Sequence, residues 1–314
     1  MSPAVIKTGA TTWAERSLLA TGWYPPDVRS AAARLRYYAS QFPLVENDAG
    51  YWALPAPEQV ETWARTVPAG FTMNMKAHAL LTGHYTDPRR LPRDVRDALG
   101  GELLAKPHVY PQDLGPELMR ELSRRFHEAL VPLHRRGQLG VVLFQFPVWF
   151  AIGREHKETL SRIRQELLPY RVAVEFRNAT WMSEGNRHET LALLAAEGLI
   201  YTCVDEPQGF PSSVPPLAAA TGDLAVVRLH GRNGARWHRG ARTAAERFEY
   251  LYPAEELREW VPKIRALAER TREVHVLMNN CYGDYAVRNA REMAELLEEA
   301  RDGTARAAPE HAPA

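Results

Sequence analysis

The sequence predicts an α/β protein built as a closed parallel (β/α)8 barrel. Eight short apolar runs alternate with segments of helical periodicity, an order typical of parallel strands joined by crossover helices. Several of them contain continuous runs rich in Val and Leu with no alternation of polar residues, such as VVLF within LGVVLFQF and LAVV within LAVVRLH. Such strands are buried on both faces, as in a sheet covered by helices. An open doubly wound sheet is the alternative, but the glycine fingerprint GxGxxG is missing from the chain.

The elements follow in order along the chain. The predicted strands cover 4–9, 43–48, 71–76, 139–146, 171–176, 199–204, 224–230 and 273–279. The predicted helices cover 30–42, 57–66, 116–136, 155–168, 187–197, 254–271 and 285–300. Ser30 is a candidate N-cap, Pro57 and Pro116 suit a first helical turn, and Gly137 and Gly198 suit helix C-termini.

Two segments depart from an ideal barrel. Segment 205–223 contains four prolines and no helical pattern, so one helix is predicted to be missing after strand six. Segment 77–115 is a long insertion of the kind that is often functional. We therefore expect a single barrel domain over 1–300, with this insertion, and a disordered tail over 301–314.

Composition narrows the functional classes. The chain has 314 residues, with 39 Lys and Arg against 38 Asp and Glu, a net charge of +1. This balance argues against a nucleic-acid coat or a polybasic membrane binder. The sequence has two cysteines and no CxxC pair, which argues against a thiolate zinc site. It has no apolar run long enough to span a membrane and no signal-peptide pattern at its start. We expect a cytoplasmic protein.

Polar residues follow the predicted strands, at the barrel end where active sites of this architecture lie. We expect Glu46, Lys76, Glu175 and His230 to be catalytic. The expected substrate-binding residues are Trp13, Gln145, Arg177, Asp205, Arg228, Arg232, Asn279 and Asn280. Each has a structural alternative: Glu175 and Arg177 could form an ion pair, His230 could be a satisfied buried histidine, and the paired asparagines could belong to a turn.

Three functions are compatible with these residues. The first is an enzyme, hydrolase or lyase, that binds a small anionic or phosphorylated substrate and uses Glu and His for acid–base chemistry. The second is a divalent-metal phosphoesterase or nuclease with Glu46, Glu175, Asp205 and His230 as ligands. The nearby cations disfavour a bound metal ion, and the neutral net charge disfavours binding of nucleic acid. The third is a non-catalytic module that binds a metabolite or a protein. No nucleotide-cofactor motif is present, and the oligomeric state stays open.

The ordered motifs identify a family. GATTWAE, YYASQFPLVENDAGYWALP, GFTMNMKAH, LGVVLFQFP, VAVEFRNATW, VRLHGRN, RFEYLYPAEELREW and MNNCYGDYAVRNA together resemble the YecE-like family, domain of unknown function 72, over about residues 5–297. The resemblance implies a TIM-like barrel, but no established reaction. The resemblance implies that the expected catalytic and substrate-binding residues, apart from Trp13, occupy polar positions that recur in the family. Gly231 and Asn289 match two further recurrent positions.

Three segments depart from the family pattern. They are NDAGYW in the second loop, Cys281 where a His is frequent after the paired asparagines, and AHALLTGH after Lys76. Because these changes fall at the expected rim of the pocket, they predict a ligand different from that of the relatives.

Overall fold

The chain forms a closed barrel of eight parallel strands. The computed structural model describes residues 4–237 and 244–307. Each strand pairs with its sequence neighbours, and the last strand pairs with the first. The predicted fold class is therefore confirmed. The strands are β1 Val5–Ala10, β2 Leu44–Asn47, β3 Thr72–Lys76, β4 Leu139–Gln145, β5 Val172–Glu175, β6 Ile200–Asp205, β7 Leu224–Leu229 and β8 Glu273–Met278.

Helices surround the barrel. They are α1 Arg16–Leu19, α2 Ala31–Gln41, α3 Ala49–Trp52, α4 Pro57–Thr66, α5 Arg93–Leu99, α6 Gly101–Leu104, α7 Pro111–Arg135, α8 Arg154–Glu166, α9 Arg187–Ala196, α10 Gly234–Trp237, α11 Ala244–Arg247, α12 Ala254–Ala268 and α13 Tyr285–Ala307. The connection from β6 to β7 lacks a helix throughout the described segment 206–223, as the prolines predict. Its start and end are held by hydrogen bonds, from Val214 N to Glu206 Oε1 and from Thr221 Oγ1 to Leu199 O.

The 77–115 insertion has a small apolar core of its own. It contains two 3-10 turns, Ala79–Thr82 and Pro88–Arg90, followed by α5 and α6. Its buried side chains are Leu80, Leu91, Val95, Leu99, Val109 and Leu114, which pack with Leu122 of α7. This cluster anchors the insertion beside the carboxyl end of β3.

Two helices extend beyond their predicted ranges by more than three residues. In α7 a first turn from Pro111 is separated from the main helix by Gly115, whose φ of 72° is non-helical, and the main helix starts at Pro116 as predicted. Helix α13 continues to Ala307, so the segment 301–307, expected as disordered tail, is helical. Residues 308–314 lie outside the described part. None of the described helices is both long and apolar enough to cross a membrane.

The barrel interior changes from apolar to charged towards the carboxyl ends of the strands. Its apolar layer consists of Leu44, Val141, Leu143, Ala173, Ile200, Leu224, Val226 and Leu277. Side chains alternate along a strand, so the residue two positions after an inward-facing one also faces inward. Leu44 is followed in this way by Glu46, Ala173 by Glu175 and Val226 by Arg228. All three charged side chains are fully buried. The fold therefore places a charged layer directly above an apolar one.

Candidate functional site at the carboxyl end of the barrel

Arg228 lies at the centre of the charged layer. Its Nη2 donates to Oε1 of Glu46 at 2.6 Å, and its Nη1 donates to Oε2 of Glu175. All three side chains are fully buried. Arg228 is thus the shared counter-ion of two carboxylates and is closed to an external ligand.

Arg177, two residues after Glu175, connects this layer to the rim. Its Nη2 lies 2.6 Å from Oε1 of Glu175, and its Nη1 donates to Oε2 of Glu206. Unlike Arg228, its side chain remains 9% exposed, and its guanidinium lies 5.3 Å from the ring centroid of Trp237. Arg177 is therefore a guanidinium of this site that a ligand can reach.

We call Glu46, Glu175, Glu206, Arg177 and Arg228 the buried ion cluster. It holds three carboxyl groups and two guanidinium groups, so full ionisation would leave one excess negative charge. Burial opposes the ionisation of Glu175, but its two arginine neighbours outweigh burial and hold its pKa well below the usual range. Burial raises the pKa of Glu46 to about 8 against the attraction of Arg228, and raises that of Glu206 to about 7 against Arg177.

The consequence is a shared proton. With Glu175 ionised, neutrality of the cluster requires one proton on Glu46 or Glu206. Glu206 uses both oxygens, one on Arg177 and one on the backbone N–H of Val214. Oε2 of Glu46 has no hydrogen-bond partner among the described residues. Glu46 is therefore the member of the cluster best placed to hold the proton and to exchange it.

His230 is enclosed by the cluster and by Asn279. Its Nδ1 lies 2.6 Å from Nδ2 of Asn279, whose Oδ1 accepts from Oγ1 of Thr11 at 2.6 Å. Its Nε2 lies 2.9 Å from Nη2 of Arg177 and 3.3 Å from Oε1 of Glu175. Burial, and then Arg177, lower the pKa of His230 to about 3. The imidazole is neutral: its Nδ1 accepts from Nδ2 of Asn279, so its hydrogen is on Nε2, which faces Oε1 of Glu175.

Asp205 and Arg232 belong to a different cluster, outside the barrel wall. Oδ1 of Asp205 accepts from Nε of Arg232 at 3.0 Å and from the Tyr252 hydroxyl at 2.7 Å. Oδ2 accepts from Nη2 of Arg232 at 2.8 Å and from Nε1 of Trp260 on α12 at 2.7 Å. These hydrogen bonds use both oxygens of the carboxylate and connect β6 to α12. The structure thus places two expected substrate-binding residues away from the barrel interior.

Asn280 also faces outward. Its Nδ2 donates to the backbone oxygen of Tyr250 at 2.9 Å and to Oδ1 of Asn289 at 2.8 Å. Asn289 in turn exchanges two hydrogen bonds with the backbone of Tyr252. Asn280 and Asn289 therefore fasten the segment before α12 against β8 and α13.

A cavity of about 330 Å³ opens at the rim above β4 and β5. This rim cavity combines polar side chains with a largely aromatic wall. It is lined by His84, Gln145, Phe146, Pro147, Val148, Arg177, Ser212, Trp237, Arg247 and Phe248. The volume falls in the range of small-molecule sites.

Lys76 and His84 extend the positive side of the rim. Nζ of Lys76 lies 4.7 Å from the ring centroid of Tyr51 and 3.9 Å from Oδ1 of Asp48, and its side chain is 12% exposed. The Tyr51 ring is also edge-on to His84, with centroids 5.5 Å apart. Burial, and then the charges of Lys76 and Arg177, lower the pKa of His84 to about 4. His84 thus lies within the fields of two cations.

Trp13 and Gln145 have different surroundings. Trp13 is buried and packs edge-on against Trp63 of α4, with centroids 5.8 Å apart, so it contacts the helix layer. Gln145 pairs in register with Glu175 and lines the rim cavity.

The structure brings together most, but not all, of the expected residues. Glu46, Glu175, Arg177, Arg228, His230 and Asn279 form one connected group, with Lys76 and Gln145 at the rim. Sequence reasoning missed Glu206, His84, Trp237 and Phe248. The alternation of side chains along β6 could have identified Glu206. It lies on the same face of the chain as Val204, whereas Asp205 lies on the opposite face with Cys203.

A metal centre is not apparent from the geometry. Among residues 4–237 and 244–307, no group of three or more His, Cys, Asp or Glu side chains has an arrangement that could hold a metal ion. Of the four residues considered as ligands, Asp205 lies on the opposite side of the barrel wall from Glu46, Glu175 and His230.

Comparison with known proteins shows the family. The model of the family described as "Protein of unknown function DUF72" matches residues 7–313. This chain belongs to the DUF72 family. A curated relative, UPF0759 protein YunF of Bacillus subtilis strain 168, is 31% identical over 298 residues, which cover 94% of this chain and 95% of the relative. The expected family is confirmed.

Solved structures of DUF72 proteins share the fold. A crystal structure of a DUF72 family protein from Enterococcus faecalis V583 is 28% identical, with a TM-score of 0.75, and the match covers 94% of this chain and 96% of that one. One from Thermotoga maritima MSB8 is 26% identical, with a TM-score of 0.72, over 94% and 99% of the two chains.

Proposed function

We propose that this DUF72 protein is an enzyme that binds a small anionic substrate in the rim cavity. The observation that carries the proposal is the composition of the cavity wall: a reachable guanidinium, Arg177, faces a wall that includes Trp237 and Phe248. Glu175 and Glu206 fix that guanidinium, so little conformational entropy is lost when it binds an anion. Lys76 supplies a second positive charge near the same rim.

The wall also limits the substrate class. Guanidinium groups bind carboxylates and phosphates through paired hydrogen bonds, and aromatic faces pack against flat rings. A cavity of about 330 Å³ holds a compact molecule. The substrate that fits best is a small carboxylate or phosphate ester attached to a ring.

Glu46 is the residue we propose for acid–base chemistry. A pKa of about 8 lets its carboxyl gain and lose a proton near neutral pH. Glu46 and Asp48 share the inward face of the chain, and the Asp48 side chain is 29% exposed at the rim. Asp48, whose charge acts on Glu46 and which lies 3.9 Å from Nζ of Lys76, therefore connects the buried ion cluster to the exposed rim. Hydrolase and lyase chemistry are both compatible with this arrangement.

Binding is tested by titrating the protein calorimetrically with phenyl phosphate and with benzenesulfonate. Removing one charged contact removes about 1.5–3 kcal/mol, so Lys76→Met should weaken binding by about tenfold or more. Lys106→Met is the matched control, because Lys106 lies in the insertion and pairs with Asp113 at an exposed site. Equal affinity of the wild type and Lys76→Met, or no binding at all, would overturn the proposal.

Turnover is tested separately, with a panel of ring-bearing phosphate esters and carboxylates. Glu46→Gln keeps the shape of the side chain and removes the exchangeable proton. We expect the wild type to convert at least one member of the panel and Glu46→Gln to convert it about a hundredfold or more slowly. Binding without turnover of any member would contradict the enzymatic part.

A non-catalytic binding module is the second candidate. The observation that favours it is the complete burial of Glu175 together with Arg228 and His230, each of which contacts Glu175. On this alternative the buried ion cluster only holds Arg177 in position for a ligand. Unchanged anion binding by Glu46→Gln, together with the absence of any product, would favour it.

A further inference from the structure

His84 is held in place by the turn that follows β3. Residues Ala79–Thr82 form a 3-10 turn, and Gly83 follows with a φ of 83°, in the left-handed region that favours glycine. The backbone N–H of His84 then donates to the carbonyl of Ala79 at 3.0 Å. This hydrogen bond closes the turn, and the imidazole of His84 lies in the wall of the rim cavity.

Thr82 determines which nitrogen of His84 carries the hydrogen. The Thr82 hydroxyl donates its single proton to the carbonyl oxygen of Ala79, at 2.9 Å. Nδ1 of His84 lies 2.8 Å from the same hydroxyl oxygen, so Nδ1 must be the donor in this second bond. A neutral His84 therefore carries its hydrogen on Nδ1 and leaves Nε2 as a bare acceptor. Nε2 has no hydrogen-bond partner among the described residues.

The charges around His84 are positive. Lys76 from β3 and Arg177 from the β5 loop both act on it, and Arg247 of α11 lines the same cavity. The Tyr51 ring covers one edge. Burial is the largest cause of the lowered pKa of His84, and repulsion by Lys76 and Arg177 adds to it. An anion bound between these cations would cancel their repulsion and attract a proton to the imidazole.

We propose that His84 is the proton-donating residue of the rim cavity and that it receives its proton from solvent only when an anionic ligand binds. The inference rests on the proposed function and names a catalytic residue for the same site. On binding, water supplies a proton to Nε2, and the resulting imidazolium donates a hydrogen bond to the anion. In the hydrolysis of a phosphate ester, that proton passes to the leaving-group oxygen as its bond to phosphorus breaks. The attacking water forms the new P–O bond and releases a proton to solvent, and His84 returns to its neutral Nδ1–H form.

The proposal predicts proton uptake coupled to binding. Benzenesulfonate is the probe, because it stays ionised and releases no proton of its own. Titrations at about pH 5.5 in two buffers of different ionisation enthalpy give the number of protons taken up. We expect about 0.5–1 proton per bound anion for the wild type, and an affinity that rises about tenfold between about pH 8 and about pH 5.5. Glu46 is not expected to contribute, because its pKa of about 8 leaves it protonated in the free protein at this pH.

The diagnostic variant is His84→Asn, since Nδ2 of asparagine occupies the place of Nδ1 and preserves the bond to Thr82. We expect it to take up less than about 0.2 proton per bound anion at about pH 5.5 and to lose most of the rise in affinity between about pH 8 and about pH 5.5. His188→Asn, at an exposed position on α9, is the control. Equal uptake by the wild type and His84→Asn, or none by the wild type, would overturn the assignment of His84. Failure of the wild type to bind benzenesulfonate would instead overturn the proposed function.

Discussion

Replacement of Arg228 by methionine tests the buried ion cluster most severely. Methionine retains much of the side-chain length but removes the charge and the donors. Glu175 keeps Nη2 of Arg177 at 2.6 Å. Glu46 loses the 2.6 Å bond to Arg228, and its other oxygen already has no partner in the described part of the chain. The cost therefore falls mainly on Glu46.

The loss of stability depends on whether Glu46 is ionised or protonated in the variant. Removing one partner of a buried ion pair costs about 3–5 kcal/mol in the free energy of unfolding when the remaining charge stays ionised. If Glu46 is protonated instead, the loss is that of unmade hydrogen bonds, about 1–3 kcal/mol. Burial raises the pKa of Glu46 to about 8 in the folded protein, above its ordinary value of 4.5. A carboxyl with a raised folded-state pKa destabilises the fold increasingly as pH rises between those two values.

Urea unfolding followed by far-UV circular dichroism measures the effect. We expect Arg228→Met to lose about 1–3 kcal/mol at about pH 5 and about 3–5 kcal/mol at about pH 9. The double variant with Glu46→Gln should recover at least about 1 kcal/mol at the higher pH, because no buried charge is left unpaired. A loss that is independent of pH, or a double variant no more stable than the single one, would refute the shared-proton description.

Two further predictions concern the barrel. Gly9→Ala would bring a Cβ to within 2.0 Å of the carbonyl oxygen of Leu44, so it should cost at least about 3 kcal/mol in the same urea assay, whereas Gly185→Ala, which meets open space, should cost less than about 0.5 kcal/mol. Trp260→Phe removes the 2.7 Å bond to Asp205 and should cost about 1–3 kcal/mol, with the affinity for benzenesulfonate unchanged. Weaker binding by this variant would show that the outer cluster takes part in the site.

Most of the fold could be predicted because its signal is local. The ends of the eight strands lie within one residue of the predicted ranges, because each strand contains a short apolar segment bounded by polar or turn residues. The short helical turn that precedes Pro116 in α7 escaped prediction because Pro111 and Gly115 suggest a loop; Pro111 occupies the first position of this turn, and Gly115 is non-helical. The helical segment 301–307 escaped prediction because its composition resembles that of a tail.

The site was harder to predict, for two physical reasons. Inward and outward positions alternate along a strand, so a one-residue choice separates Glu206, in the buried ion cluster, from Asp205, in the outer cluster. The strand pattern could have resolved that choice. His84 carries no such signal, since it follows a 3-10 turn in an insertion, and only tertiary packing brings it to the rim cavity.

The most direct test of the account is to locate a bound anion. Crystals soaked with 4-bromobenzenesulfonate would reveal the bromine by its anomalous scattering. We expect the bromine beside Trp237 and Phe248, with a sulfonate oxygen within about 3 Å of the Arg177 guanidinium. Anomalous density confined to other surfaces, with the rim cavity empty in crystals of a protein that binds the compound in solution, would contradict the central claim.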